Sequence, residues 1–164
     1  MQNILSNHEI KLIGFDADDT LWKNEDLFFD AQNKIKNILK QKSNKFDEDL
    51  LKIEKLNLDI YSYGIKGFIL SLIETSVKTS DATINIKSIN QIIKLGKRML
   101  KAPINLIEGV DKILSTLSKK YDLILITKGD LLDQERKIEK SKLEKYFKYK
   151  KIVSEKNKQT YQNI

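Results

Sequence analysis

The sequence predicts an α/β protein built on a parallel sheet, with an all-helical unit inserted between its first two strands. Three observations carry this. Short apolar runs at residues 12–15, 123–126 and 152–153 have the look of buried strands, and helical patterns separate them, the alternation that gives parallel sheets. Residues 24–101 carry helical patterns alone. The first two strands lie about 100 residues apart, far more than a single crossover needs, so the surplus is expected as a separate unit over the carboxyl ends of the strands.

Residues 10–15 read as the first strand. Asn24 stands where it could cap the next helix, and Glu25 and Asp26 suit that helix's first turn. Leu27, Ala31, Ile35 and Leu39 recur every four residues and carry the helix to about Lys42. Phe46, Leu50, Ile53 and Ile60 mark a second helix. Ile65, Phe68, Ile69, Leu72 and Ile73 mark a third, and Ile86, Ile89, Ile93, Gly96 and Leu100 a fourth. The fourth ends before Pro103, the only proline, because the residue preceding proline is pushed out of the helical region. After Glu108-Gly109, residues Val110, Ile113, Leu114 and Leu117 give a further helix. The second strand runs over residues 122–126, a helix over 131–143, a third strand near 152–153, and a last helix begins near Lys158. The implied organisation is a discontinuous core of residues 1–22 and 103–164 around an insertion of residues 23–102.

The densest chemistry follows the first strand, in Asp16-Ala17-Asp18-Asp19-Thr20. Side chains alternate along an extended chain, so Asp16 and Asp18 can face one site at the carboxyl end of the sheet. Two carboxylates held together repel unless a cation joins them or one takes a proton, so the pair reads as built for chemistry. A calcium loop fits poorly: counting from Asp16, positions six and twelve are Leu21 and Leu27, where Gly and Glu are needed. A solvated turn is the remaining bland reading. Trp22 reads as a hinge or core aromatic, Thr20 as support for the loop, and His8, the only histidine, as a surface residue. Asp130 and Asp133 favour the start of a helix over metal binding.

The string Phe15-Asp16-Ala17-Asp18-Asp19-Thr20-Leu21-Trp22, followed by Asn24-Glu25, resembles the first motif of the haloacid dehalogenase (HAD) superfamily, most of whose members are magnesium-dependent phosphatases. Leu123-Ile124-Leu125-Ile126-Thr127-Lys128-Gly129-Asp130 resembles the second motif, and Ile152-Val153-Ser154-Glu155-Lys156 the segment carrying the family's lysine, in the family's order. The resemblance implies a Rossmann-like core with a helical cap inserted between motifs one and two. It implies Asp16 as nucleophile, Asp18 as general acid and then base, and Mg2+ held by the Asp16 carboxylate and the Asp18 backbone carbonyl. Thr127 would bind phosphate with a backbone N–H of Lys128 or Gly129, while the Lys128 side chain is a solvated residue. Lys156 would neutralise charge, with Lys158 competing for that role. The presence of Asp18 favours phosphoryl transfer over dehalogenation, since dehalogenating relatives lack an acid there. The family's fourth motif, an acidic pair after a further strand, is expected beyond Ile164, which would leave the core C-terminally truncated and the first strand with an open edge. Two readings result: a phosphatase of a small phosphorylated metabolite, or a truncated, non-catalytic remnant that binds phosphate or a partner protein.

Composition narrows the classes. The chain has 164 residues, 40% of them hydrophobic, enough to bury a core. No apolar run reaches the ~18 residues of a membrane span, residues 1–8 lack the basic-then-apolar order of a signal peptide, and there is no cysteine, so the cytoplasm is the expected location. The net charge of +7 invites a nucleic-acid reading, but only Arg98 and Arg136 are arginines and the lysines are scattered rather than gathered in a stripe. Nucleic acid is therefore not expected as a partner. Nothing in the sequence indicates an oligomeric state.

Overall fold

The computed structural model describes residues 10–40, 45–80 and 84–164. His8, residues 1–8 and Lys42 lie outside the described residues. Three parallel strands form one sheet in the order β1–β2–β3: β1 (Leu12–Phe15), β2 (Asp122–Lys128) and β3 (Tyr149–Val153). Helices α1 (Glu25–Ile38), α2 (Lys45–Tyr61), α3 (Ile65–Thr79) and α4 (Ile86–Lys101) form the cap between β1 and β2. Helix α5 (Val110–Leu117) leads back to β2, α6 (Leu131–Ser141) joins β2 to β3, and α7 (Lys158–Gln162) follows β3. The fold is thus an α/β core with a helical cap, as the alternation of patterns predicts.

Two apolar clusters account for it. One gathers Leu123 and Leu125 of β2 with Leu21, Trp22, Leu114, Ile138, Leu143 and Phe147 around the sheet. The other gathers Ala31, Ile35, Phe46, Leu50, Phe68, Leu72, Ile92 and Met99 from the four cap helices. The chain crosses between them twice, and the two crossings pair: Lys23 N–H donates to the Asn105 carbonyl at 2.9 Å, and Ile107 N–H to the Leu21 carbonyl at 3.0 Å. Backbone bonds at the crossing fix where the cap hangs relative to the tip of β1.

Several expectations shift. β1 begins at Leu12 rather than residue 10, and Ile10 is 66% exposed. β2 runs on to Lys128, because Thr127 pairs with Ile152 and Lys128 with Val153, so Thr127 sits within the ladder rather than beyond it. α6 stops at Ser141, where Lys142 takes a left-handed φ of 57° and turns Leu143 into the core. In α4 the buried stripe is Ser88, Ile92, Leu95, Gly96 and Met99, and Ile86 faces solvent. That helix carries apolar residues on two adjoining faces, and periodicity alone did not say which one meets α3. Ile60 and Ile113 are likewise exposed. β1 is hydrogen-bonded along one edge only among the described residues.

At Gly96 the backbone of α4 lies against the Ile69 side chain of α3. A methyl there would stand 2.7 Å from Ile69 Cγ1, a carbon held stiffly by its branched Cβ. Gly96→Val is expected to destabilise the protein by about 1–3 kcal/mol through overpacking, measured by urea unfolding. Adding Ile69→Ala should recover part of that loss, because the two positions share one space.

Candidate active site

The end of β1 opens into a cleft of about 610 Å³ between core and cap. Asp16, Asp18, Thr127, Lys128, Gly129 and Lys156, the six residues singled out from the sequence, all line it. Alternation continued just past β1 explains the first pair: Ala17 between them is fully buried, while Asp16 and Asp18 reach the cleft. The parallel pairing of β1, β2 and β3 then brings the ends of three strands together at one sheet edge, with Thr127 at the end of β2 and Lys156 just past β3.

Each carboxylate has its own lysine. Lys156 Nζ lies 2.5 Å from Asp16 Oδ1, which also accepts the Ala17 N–H at 2.7 Å. Lys158, the competing candidate, opens α7 and does not line the cleft. Asp18 is held more tightly. Lys137 Nζ donates to its two oxygens at 2.6 and 2.8 Å, Gln134 Nε2 to Oδ2 at 2.9 Å, and the Trp22 indole N–H to Oδ1 at 2.7 Å. Charge-assisted bonds are the stronger kind, so Lys137 is the main tether. Its side chain is only 11% exposed.

Neither Lys137 nor Gln134 was anticipated. Both sit on α6, three residues apart and so on one face of the helix. Asp130 caps that helix, its carboxylate accepting the Asp133 N–H at 3.0 Å. Asp133 pairs with Arg136. The signal was present in the spacing, but a lysine in a lysine-rich chain does not announce itself. Trp22, read as a core aromatic, is 1% exposed and is also an Asp18 ligand. The expected cap at Asn24 is corrected: its side chain caps nothing and instead accepts from Lys137 at 3.2 Å. Asp19 does the capping, its Oδ1 accepting the N–H groups of Asn24 and Glu25 at 2.9 and 3.1 Å. Asp19 stands at a φ of 56°, which aspartate tolerates better than most residues.

The phosphate-loop candidates are arranged around Gly129. Its φ is 142°, a value open to glycine, and a methyl there would meet Gln134 Nε2 at 3.0 Å. The Gln134 amide fills that space and also donates to the Lys128 carbonyl at 3.0 Å. Thr127 is 1% exposed. Lys128 is not the solvated residue expected: its ammonium pairs with Glu155 at 3.2 Å and lies 3.7 Å from the centre of the Tyr63 ring, reaching from core to cap. Burial works against that charge, but the contacts with Tyr63 and Glu155 outweigh it and raise the Lys128 pKa. Backbone and charge reinforce the same seam, with Asp130 N–H donating to the Tyr63 carbonyl at 2.9 Å and Lys66 pairing with Asp130 at 2.7 Å.

The cleft's donors suit a hard cation. They are oxygens, with neither histidine nor cysteine lining the cleft. No cluster of three or more metal-ligating side chains occurs among the described residues. Magnesium, which keeps several waters and takes one or two carboxylates plus phosphate, fits so sparse a set. No helix among the described residues is long and apolar enough to cross a membrane.

Comparison with known proteins adds the following. The family whose model matches residues 65–159 is described as an uncharacterized protein conserved in archaea (DUF2209). A comparison with curated proteins found no match. Among solved structures, a haloacid dehalogenase-like family hydrolase from Xanthomonas campestris is 42% identical, with a TM-score of 0.89 over 94% of this chain and 66% of that one. YfnB from Bacillus subtilis, assigned as a HAD hydrolase and bound to magnesium, is 16% identical with a TM-score of 0.58, covering 88% and 64%. A 2-haloacid dehalogenase from Pseudomonas syringae is 20% identical with a TM-score of 0.53, covering 88% and 64%. The last two show likeness of fold alone. The chain thus spans just under two thirds of the lengths of these structures.

Lys137→Met would leave the Asp18 carboxylate with neutral donors only. It is expected to cost about 1–3 kcal/mol of stability, the range for a lost charged hydrogen bond, measured by thermal unfolding. In the background of Asp18→Asn the same change should cost clearly less; additive losses would show that the two side chains are not coupled.

Proposed function

Because the chain belongs to the haloacid dehalogenase-like hydrolases and, through residues 65–159, to the archaeal family DUF2209, we propose that it is a magnesium-dependent phosphatase of a small phosphorylated metabolite, working through an aspartyl-phosphate. The observation that carries this reading is the meeting of Asp16, paired with Lys156, and the tethered Asp18 in one cleft with Thr127 and Gly129.

In this reading an Asp16 oxygen attacks phosphorus and the ester oxygen leaves, forming an acyl phosphate and splitting one difficult displacement into two steps. Asp18 gives the leaving oxygen its proton, then takes a proton from the water that hydrolyses the acyl phosphate, so that Asp16 is regenerated. The donors on Asp18 fix its orientation in the cleft. The Thr127 hydroxyl and the Lys128 backbone N–H hold phosphate oxygens, the Gly129 N–H being given to the Val153 carbonyl at 3.3 Å, and Lys156 offsets the charge gathered on the transferring group. Lys128 contributes to phosphate binding through its backbone N–H, since its side chain is engaged by Glu155 and Tyr63. The Asp16 carboxylate and the Asp18 backbone carbonyl would hold Mg2+, which supplies Lewis-acid polarisation of the phosphoryl group. Residues 23–102 act as the cap that screens the reaction from water, and residues 1–22 with 103–164 as the core.

A second reading, a phosphate- or protein-binding module without turnover, is favoured by one observation: no group of three or more metal-ligating side chains gathers among the described residues. Hydrolysis of p-nitrophenyl phosphate separates the two. The phosphatase reading expects turnover with Mg2+, its loss on adding EDTA, and a fall of roughly 10³-fold or more in kcat for Asp16→Asn. Turnover that survives Asp16→Asn or needs no metal rejects it. Absence of turnover together with retained phosphate binding supports the module. Halide release from 2-chloropropionate is expected from neither.

A further inference from the structure

The cleft is polarised. Its core end holds three lysines, and each has a carboxylate partner: Lys156 with Asp16, Lys137 with Asp18 and Lys128 with Glu155. Its cap side has no lysine or arginine among the described lining residues. It has instead aromatic side chains and two carboxylates, Glu25 at the start of α1 and Glu54 on α2. Phe28 of α1 and Phe68 of α3 meet edge to face, with ring centroids 5.0 Å apart, and Tyr63, its ring covered by Lys128, lines the same cleft. Glu54 of α2 lines the same space and makes no hydrogen bond or ion pair with any described residue.

A half-buried carboxylate without a partner is costly, and the natural remedy is a cation brought in from outside. Aromatic faces attract the same kind of group. A second anion on the substrate would instead meet Glu54 with no cap-side cation to receive it. Resting on the phosphatase reading, we infer that the substrate is a phosphomonoester whose organic part carries a protonated amine, received by Glu54 on the cap side while the phosphoryl group lies at Asp16. Burial raises the Glu54 pKa.

Three two-carbon phosphomonoesters of matched size test this: 2-aminoethyl phosphate, 2-hydroxyethyl phosphate and phosphoglycolate, ending in an ammonium, a hydroxyl and a carboxylate. The expected order of kcat/KM is amine, then hydroxyl, then carboxylate, with the amine ahead of the hydroxyl by about tenfold. In Glu54→Gln that ratio should fall to within about twofold of unity, Glu54→Asp should keep part of it, and Glu54→Lys should move the preference toward phosphoglycolate. A wild-type chain that prefers the hydroxyl or carboxylate ester, or an amine preference that survives Glu54→Gln, overturns the inference. Turnover of p-nitrophenyl phosphate by the wild-type chain tells failure of this inference from failure of the phosphatase reading. If no ester is turned over, calorimetric binding of 2-aminoethylphosphonate against 2-hydroxyethylphosphonate, in wild type and Glu54→Gln, reads the same contrast. Equal affinities there overturn the inference as well.

Discussion

Two carboxylates two residues apart at the tip of a strand repel one another, and the rest of the site follows from how that repulsion is offset. Each acid is given a separate lysine from a separate element: Lys156 from the turn after β3 for Asp16, Lys137 from α6 for Asp18. This makes the two acids unlike. Asp16 keeps one oxygen free of its lysine and its side chain is half exposed, whereas Asp18 is gripped on both oxygens. A sheet with β1 at one end of the order, β2 next and β3 beyond is what lets α6 and the β3 turn reach the same strand tip.

The cap is tied into this arrangement at two places of different character. At the crossings, Lys23 with Asn105 and Ile107 with Leu21 are backbone bonds that set the hinge. At the cleft, Lys128, Tyr63, Glu155, Lys66 and Asp130 make a mostly side-chain seam on the far side. Exposed ion pairs of this kind are worth little individually, and one backbone bond, Asp130 N–H to the Tyr63 carbonyl, accompanies them.

Much of this was legible in the sequence, for definite reasons. Asp16 and Asp18 were found because they follow an apolar run directly, and strand ends of a parallel sheet converge. Thr127, Gly129 and Lys156 came from the resemblance of their segments to the family's second motif and lysine segment. Lys137, Gln134 and Asp19 were not found, because their partners are distant in sequence or because a more conventional candidate stood nearby. Asn24 is the residue type and position one would choose for a cap, yet Lys137 draws its side chain away and Asp19 reaches in from the preceding turn. The buried face of α4 was not legible for a similar reason: isoleucines on two faces satisfy the same period, and only contact with Ile69 and its neighbours selects between them.

The open backbone geometry of Gly129 has a consequence beyond its own loop. The Gln134 amide occupies the space that any larger side chain at 129 would claim, and the same amide steadies Asp18. A larger side chain at 129 would therefore have to push the Gln134 amide aside, and with it one of the donors that hold the acid.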